Sequence, residues 1–404
     1  MPHRAEIVGG GWQAVRMPSQ LHAAITARLE RGEFPGAVAL VAQDEDVSVD
    51  AVGVTAFGGA VPMRRDTPFR IASMTKPVLA AATLILAEDD RLDLEEPVAE
   101  LLPELAGQRV LTRPDGPLDE TVAAVRPVTV EDLLTFTLGF GTLVRGDEID
   151  PPVPVVRAWR ELGLVMGEPD PRTPHEPDEW IRRFGSLPLM HQPGETWMYN
   201  AGTLVLGVLL ARAADQPLED LLRERLFRPL GMTETGFWLP AARAAELPRH
   251  YLTDAATGRL AERTGTGPEI WSRPPVFPSG SGGLVSTADD FLAFARMLLN
   301  GGVHGGTRLL SQQSVAAMTS NHLTPGQIAS GGVMLGGSGW GYGMAVTVER
   351  DEVSGPGRYG WAGGYGTTWF NDPAEGLIAI VLTQVSDVLW NGALTEFGRA
   401  AYRR

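Results

Sequence analysis

Hydrophobic positions with a two-residue period predict strands near both ends of the chain. Residues 37–41 form an apolar run after a Pro-Gly pair, and the alternating run at 47–54 predicts an antiparallel partner for it. Near the other end, apolar and β-branched segments predict three more strands, at Gly341 to Glu349, Thr367 to Phe370 and Leu377 to Thr383. The two ends of the chain are therefore expected to build one sheet.

Hydrophobic positions with a helical period lie between and beside these strands. Ser19 to Arg31 predicts an amphipathic helix with Ser19 as its N-cap. Residues 72–88 predict an apolar helix, and a helix over 128–137 is predicted to start at Thr129 with Asp132 close to a capping box. Further helices are predicted at Ala201 to Ala213, Leu218 to Leu226, from a cap at Ser286 or Thr287 to Asn300, and Val385 to Arg399.

Two long segments, 106–127 and 142–190, lack clear periodicity and are rich in Pro, Asp, Glu and Arg. Segments of this length and composition usually form lids or binding loops, so 142–190 is predicted to be the rim of a substrate site.

The order of these elements predicts an α+β fold. An antiparallel sheet flanked by helices, an α/β sandwich formed by both termini, would carry an inserted and mostly helical subdomain. The expected division is a sheet domain from 1–70 and 301–404 and a helical domain from 71–300. We expect an active site between the two.

The charge balance limits the classes of partner molecule that we expect. The 404 residues carry 49 acidic and 34 basic side chains, a formal charge of −15. An acidic surface repels phosphate groups, so neither nucleic acid nor a membrane surface is expected as a partner. The first twenty residues show no apolar signal-peptide core, and the run Pro77 to Ala87 is too short to span a bilayer. The expected location is cytoplasmic.

Residue usage also limits the chemistry. There are no cysteines, and the seven histidines show no zinc-site spacing. Dinucleotide and P-loop signatures are missing too, so neither a metal nor a cofactor is expected.

A single lysine stands out against 33 arginines. This residue, Lys76, follows Ser73 in a Ser-x-x-Lys pattern, which places both side chains on one face of a helical turn. A hydroxyl needs a neighbouring base to become a nucleophile, and a desolvated lysine can serve as that base whereas arginine stays charged.

Two more motifs complete the candidate chemistry. A turn beginning at Pro193-Gly194 delivers Tyr199 to the start of a helix, where a phenol can relay protons. The glycine-rich run Tyr359 to Gly366 allows close approach of the backbone to a ligand and can present backbone amides.

These three motifs, in this order and separation, resemble the serine β-lactamase and penicillin-binding-protein superfamily. Other segments over roughly residues 20 to 385 are similar to the class C β-lactamase-like branch, among them Leu133 to Phe140, Leu226 to Met232 and Gly282 to Asn300. The resemblance implies a β-lactamase/transpeptidase-like fold. It also implies that Ser73 is acylated, that Lys76 takes its proton and that Tyr199 completes a proton relay. The backbone amides of Ser73 and Gly364 would form the oxyanion hole.

Departures from the family pattern bear on the substrate. The second motif usually reads Tyr-x-Asn, but here Asn200 follows Tyr199 directly, and a one-residue offset turns a side chain by about 100° on a helix. The third motif usually begins with Lys or His, which binds a carboxylate, whereas this chain has Trp361. Phe136 stands where a framing segment commonly has His.

The Trp-x-Gly of the third motif resembles the family VIII carboxylesterases. This resemblance favours hydrolysis of carboxylic esters with small to medium acyl groups. The substrate contacts are expected from Trp361, Gly363, Phe136 and Asn200, with Arg358 as an alternative source of a cation.

Three alternatives stay open. The first is amide chemistry, as a β-lactamase, a D-alanyl carboxypeptidase or a D-amino-acid peptidase. The second is acyl transfer to an acceptor other than water. The third is a catalytically silent binding module on the same fold. Against the last, Ser73, Lys76 and Tyr199 are all present in a chain with no other lysine.

Overall fold

The computed structural model describes residues 18–145, 148–166 and 173–402. Parts of the predicted rim (146–147 and 167–172) and of the predicted sheet domain (1–17 and 403–404) lie outside the described residues. The α-helices are α1 Ser19–Glu30, α2 Thr75–Glu88, α3 Val130–Thr135, α4 Pro154–Glu161, α5 Pro177–Gly185, α6 Ala201–Ala214, α7 Leu218–Leu222, α8 Arg228–Leu230, α9 Ala241–Ala244, α10 Ala288–Leu299, α11 Gln312–Met318, α12 Pro325–Ser330, α13 Gly332–Leu335 and α14 Ala393–Ala401.

The strands vary from two to eight residues. They are β1 Gly36–Gln43, β2 Asp46–Gly53, β3 Phe69–Arg70, β4 Arg109–Leu111, β5 Thr121–Ala123, β6 Val144–Arg145, β7 Glu148–Ile149, β8 Tyr251–Asp254, β9 Arg259–Glu262, β10 Val285–Ser286, β11 Val303–His304, β12 Thr307–Arg308, β13 Gly339–Trp340, β14 Ala345–Val346, β15 Tyr359–Gly363, β16 Thr367–Asp372 and β17 Leu377–Leu382.

Seven strands form the main sheet, in the order β13-β14-β15-β16-β17-β1-β2, and all pairs are antiparallel. The amino-terminal hairpin therefore joins the carboxyl-terminal strands through β1, where Leu40 pairs with Ile380. This arrangement confirms the predicted α+β fold with a sheet formed by both termini.

The β1 strand shows why the sheet is covered on both faces. Its sequence is an almost unbroken apolar run, which is typical of a strand buried on two sides. One set of alternate side chains, including Val38 and Leu40, joins the large core with α2, α6 and α10. The other set, including Ala39 and Val41, joins a second core with α1 and α14. Helices thus pack on each face.

Several predicted helices and strands begin or end at other residues in the structure. The helix α1 follows Pro18 and has no side-chain cap, so Ser19 is its first residue and not its N-cap. Thr129 and Asp132 form the expected capping box, and Thr287 caps α10. Within the predicted strand over 341–349 only β14 is a strand, and the residues before it form the turn that joins β13 to β14, where Gly343 has a φ of 76°.

The predicted rim segment contains helices that the sequence did not predict, and the last predicted helix is interrupted. The role of 142–190 as the rim of a substrate site stays a prediction. Residues 142–190 include α4 and α5, and apolar residues of both helices, such as Trp159 and Trp180, are part of the large core. The predicted helix over 385–399 is a short 3-10 turn at Ser386–Leu389 followed by α14, because Gly392 adopts a left-handed φ of 81° between them. No helix in the described ranges is long and apolar enough to cross a membrane. The division into two domains stays a prediction.

Candidate active site

Ser73 lies on a tight turn between β3 and α2. The 3-10 turn Ala72–Met74 runs directly into α2, so Ser73 precedes the helix that carries Lys76. Ala72 has a φ of 45°, a conformation that costs free energy in a residue with a side chain and is often found at functional sites. The turn brings Ser73 Oγ within 2.9 Å of Lys76 Nζ, as the Ser-x-x-Lys spacing predicts.

Lys76 is completely buried, with 0% exposure. Its Nζ donates hydrogen bonds to Ser73 Oγ and, at 2.6 Å, to the carbonyl oxygen of Ser281. The ring of Tyr199 lies 4.5 Å from the same nitrogen. Burial holds the pKa of Lys76 well below its ordinary value, because the ammonium form loses its hydration. A neutral amine at this position can accept the proton of Ser73.

Tyr199 is the third member of this group and is 9% exposed. Burial raises the pKa of its phenol to about 12, although hydrogen bonds with Ser73 and Trp361 act in the opposite direction. The indole Nε1 of Trp361 donates to the phenol oxygen at 2.7 Å. Because the oxygen accepts from Trp361, the phenol proton is free to be donated to another group. The phenol stays protonated at neutral pH.

An aromatic cluster supports Tyr199. It consists of Phe136, Trp197, Tyr199, Trp340 and Trp361. Phe136 ends α3 with a left-handed φ of 61°, and its ring lies 5.7 Å from that of Tyr199. With only 1% exposure, Phe136 offers a substrate almost no surface. Its contacts in this structure are with the cluster, whereas the substrate contact expected from the sequence stays a prediction.

The glycine-rich motif packs against the Ser73 turn through the end of β15. A Cβ on Gly363 would lie 2.2 Å from the carbonyl oxygen of Ile71, so only glycine allows this approach. A Cβ on Gly364 would meet no atom within 4 Å. The carbonyl oxygen of Gly364 accepts a hydrogen bond from Ser386 Oγ at 2.7 Å. Gly364, the predicted oxyanion-hole residue, therefore has open space where a side chain would be, whereas its neighbour Gly363 is tightly packed.

Asn200 is buried and is linked to Lys76 through Ser281. Its Nδ2 donates to the carbonyl oxygen of Met166 at 2.7 Å, and its Oδ1 accepts from Ser281 Oγ at 2.5 Å. Both ends of the amide therefore have protein partners, although the sequence predicts a substrate contact. Ser281 itself was not predicted, because it contacts Lys76 through a backbone carbonyl that any residue type possesses.

Arg358 is held by two neighbours on its own side of the sheet motif. Its guanidinium donates to Asp351 Oδ2 at 2.7 Å and lies over the ring of Phe370 at 5.3 Å. These contacts occupy the guanidinium in this structure, and the alternative that Arg358 supplies a cation to the site stays a prediction. No cluster of three or more His, Asp or Glu side chains suited to a metal occurs in the parts of the chain that the structure describes.

The fold and the Ser73, Lys76 and Tyr199 group define a class of protein. The sequence profile of the Beta-lactamase family matches residues 21–396, and the chain belongs to this family. The predicted resemblance is confirmed.

Three similar proteins refine this placement. An uncharacterized protein of Mycobacterium tuberculosis is 39% identical over 376 residues, which cover 90% of this chain and 88% of that protein. Esterase EstB of Burkholderia gladioli is 31% identical over 401 residues, or 95% of this chain and 94% of the relative. The solved structure of EstCE1, described as a hydrolase with promiscuous acyltransferase activity, superposes with a TM-score of 0.78 at 24% identity, covering 96% of this chain and 98% of that one. EstCE1 thus confirms the fold.

Proposed function

We propose that this chain is a serine hydrolase that cleaves carboxylic esters of small to medium acyl groups through an acyl-enzyme on Ser73. The observation that carries the proposal is the 2.9 Å contact between Ser73 Oγ and a fully buried Lys76 Nζ. Esterase EstB, similar over most of both chains, adds support for ester chemistry.

The contacts of Ser73, Lys76 and Tyr199 support the following steps of acylation. Neutral Lys76 takes the proton of Ser73 as Oγ forms a bond to the ester carbonyl carbon. The backbone amides of Ser73 and Gly364 stabilise the resulting oxyanion. The carbon–oxygen bond to the alcohol then breaks, and Tyr199 donates its phenol proton to the leaving alkoxide. The proton held on Lys76 restores the phenol.

Deacylation uses the same base and the same oxyanion hole, with water as the nucleophile. A water molecule attacks the acyl carbonyl carbon and gives its proton to the amine of Lys76, the base that first activated Ser73. The oxyanion forms again at the same two amides. Collapse of this intermediate releases the carboxylic acid, and the proton returns to Ser73 Oγ.

Ester chemistry is favoured over lactam or peptide chemistry by two positions. Trp361 occupies the place where a cation would bind a substrate carboxylate, and its indole nitrogen is bonded to Tyr199. Asn200 turns its amide to Met166 and Ser281, so it does not offer the substrate amide recognition of a Tyr-x-Asn motif. A neutral ester needs neither contact.

The test compares initial rates on p-nitrophenyl butyrate and on nitrocefin. The wild-type protein should hydrolyse the ester and act slowly on nitrocefin, and Ser73→Ala should leave only background hydrolysis. Ser320→Ala is a matched control, because the Ser320 hydroxyl bonds only the helix carbonyl of Ala316 at an exposed position. This control should keep full activity.

Each other result points to one alternative. Faster turnover of nitrocefin than of the ester would overturn the ester proposal in favour of a lactamase or peptidase. Ester cleavage that produces a new ester when an alcohol is added would indicate acyl transfer. Failure of a fluorophosphonate to label Ser73 would leave a binding module. The cytoplasmic location stays a prediction, which cell fractionation would test.

A further inference from the structure

A half-buried hydroxyl contacts the backbone of the proposed oxyanion-hole residue. Ser386, in the turn after β17, donates from Oγ to the carbonyl oxygen of Gly364 at 2.7 Å. Gly364 follows Gly363, and a side chain at Gly364 would touch nothing within 4 Å. Two adjacent glycines allow many backbone conformations, so Gly364 depends on outside contacts to keep its amide aimed in one direction.

His250 fixes the direction of this hydrogen bond. Its Nε2 lies 2.8 Å from Ser386 Oγ, and the single hydroxyl proton of Ser386 is used on Gly364. Therefore Nε2 carries the imidazole proton and donates it to Ser386. Burial, aided by the positive charges of Arg70 and Arg263, lowers the pKa of His250 to about 3. With this low pKa the ring is neutral at neutral pH, so the contact is present there without a charge on His250.

A fully buried arginine holds this group in place. Arg70 donates to the carbonyl oxygens of Pro248 and Thr266 at 2.8 and 2.9 Å and to Gln384 Oε1 at 2.9 Å. It thereby bonds the backbone two residues before His250 and the side chain two residues before Ser386. The ring of His250 also packs edge-on against Tyr365, at 4.5 Å between ring centroids.

Another hydroxyl holds the far side of the same turn. Thr383 Oγ1 donates to the carbonyl oxygen of Gly366 at 2.7 Å, and the amide of Gly366 bonds to the carbonyl oxygen of Gly363 at 2.8 Å. Among the described contacts, the hydrogen bond to the carbonyl oxygen of Gly364 comes from Ser386 alone.

We propose that Ser386, oriented by His250, is a positioning residue that aims the Gly364 amide at the developing oxyanion. The inference rests on the proposed function, because it assigns an action within that reaction. Ser386 touches neither the substrate nor the reacting atoms. Its effect is therefore expected in the transition state, where the oxyanion carries charge, and not in binding of the neutral ester.

The kinetic test is Ser386→Ala. Removing an oxyanion donor costs about 10²- to 10³-fold in kcat, and a donor that is present but poorly aimed should cost less, about tenfold. We expect this loss in kcat with KM unchanged and with an unaltered shape of the pH profile. Ser386→Thr, which keeps the hydroxyl, should restore most of the rate. Thr319→Ala removes a similar hydroxyl-to-carbonyl bond of 2.9 Å far from Gly364 and should have no effect.

Two inhibitors distinguish a positioning role of Ser386 from a general disruption of the active site by the substitution. Propylboronic acid forms a tetrahedral adduct on Ser73 that places an oxygen in the oxyanion hole, so its affinity should fall by the same factor as kcat. Butyramide, an unreactive analogue of the neutral substrate, should bind equally to both proteins. Equal losses for the two inhibitors, or a raised KM with unchanged kcat, would overturn the proposal.

Hydrogen exchange tests the inference without any turnover. Ser386→Ala should speed amide exchange in the 363–366 turn and leave a matched peptide from α2 unchanged. If wild-type protein fails to cleave esters, the proposed function fails, whereas the exchange experiment still tests the role of Ser386. Unchanged exchange in the turn would overturn the positioning role even in an active esterase.

Discussion

Lys76 combines complete burial with being the only lysine in the chain. Lysine carrying ¹³C at Cε should therefore give a single side-chain signal in NMR spectra of the whole protein. The charge of one catalytic group becomes directly measurable in a 404-residue chain.

The pH dependence follows from this lysine. Its folded pKa is lowered, so the neutral amine, which is the proposed base, becomes populated as the pH rises through that lowered value. We expect kcat/KM to rise with pH and then to stay level, because the phenol of Tyr199, with a pKa raised to about 12, remains protonated. The NMR titration of Lys76 should have the same midpoint as the rate. A midpoint near 10.4, the ordinary value for lysine, would contradict this.

The variant Lys76→Arg tests the same lysine by substitution. A guanidinium keeps its charge at every accessible pH, so the base is lost and not merely weakened. Loss of a general base typically costs 10²- to 10⁴-fold, and we expect a rate decrease of about a thousandfold at all pH values. Recovery of activity at high pH in this variant would assign the base to another group.

Asn200 and Ser281 should act on Lys76 as one unit. Asn200→Gly removes the amide and tolerates the φ of 80° at this position, and Ser281→Ala removes the hydroxyl but keeps the carbonyl that binds Lys76. Each change should lower kcat by about tenfold through a less well-placed amine, and the double variant should lose little more. Fully additive losses in a double-mutant cycle would show that the two residues act independently.

Sequence predicted the residues that carry distinctive chemistry better than those that support them. Ser73, Lys76 and Tyr199 come from short motifs, and the structure brings all three together. Ser281 contacts Lys76 through its own backbone carbonyl, and the Ser386 hydroxyl contacts the backbone carbonyl of Gly364. No spacing rule identifies such contacts. The offset of Asn200 was visible in the sequence, but its partners were not.

At the scale of elements, the contact between β15 and the Ser73 turn determines how the two motifs meet. Gly363→Ala would place a methyl group 2.2 Å from the carbonyl of Ile71 and 2.3 Å from Thr367 Oγ1. The backbone at Ile71 cannot move away without a large energetic cost. We therefore expect a loss of about 2 kcal/mol or more in the free energy of unfolding, together with loss of activity. Urea unfolding measures the first and ester hydrolysis the second.

The neighbouring glycine provides the comparison for stability. Gly364→Ala has open space for its methyl group, so its unfolding free energy should stay within about 0.5 kcal/mol of wild type. Equal destabilisation by both changes would contradict the assigned packing.

Elements with strong local signals were predicted more accurately than those set by tertiary contacts. The capping box at Thr129 is local, and the structure confirms it. The helices α4 and α5 were missed because Pro and charged residues hide their apolar stripes, although these stripes bury Trp159 and Trp180. The break before α14 depends on one left-handed glycine, Gly392, which the hydrophobic pattern does not reveal.

At the scale of the whole molecule, Arg70 connects distant parts of the chain. It lies on β3 and bonds the segments at Pro248, Thr266 and Gln384. Arg70→Ala would leave two buried acceptors and one half-buried acceptor without this donor, so we expect a loss of about 3 kcal/mol or more in the free energy of unfolding. Arg70→Lys should not rescue it, because an ammonium cannot reproduce the planar fork of donors.

Chemical denaturation provides the measurement for Arg70. Arg31→Ala serves as the control, since Arg31 forms an exposed ion pair with Glu33 and should cost less than about 1 kcal/mol. Similar effects of the two changes would show that the Arg70 bonds contribute no more than a surface pair.

The pairing of β1 with β17 has a consequence for how the molecule is made. The inner edge of the amino-terminal hairpin, where Val38 later meets Leu382, finds its partner only after the carboxyl-terminal strands have left the ribosome. Until then an apolar strand edge stays open and is a site where nascent chains could pair with one another. Biosynthesis of this protein should therefore depend on chaperones that shield the hairpin while the rest of the chain is translated.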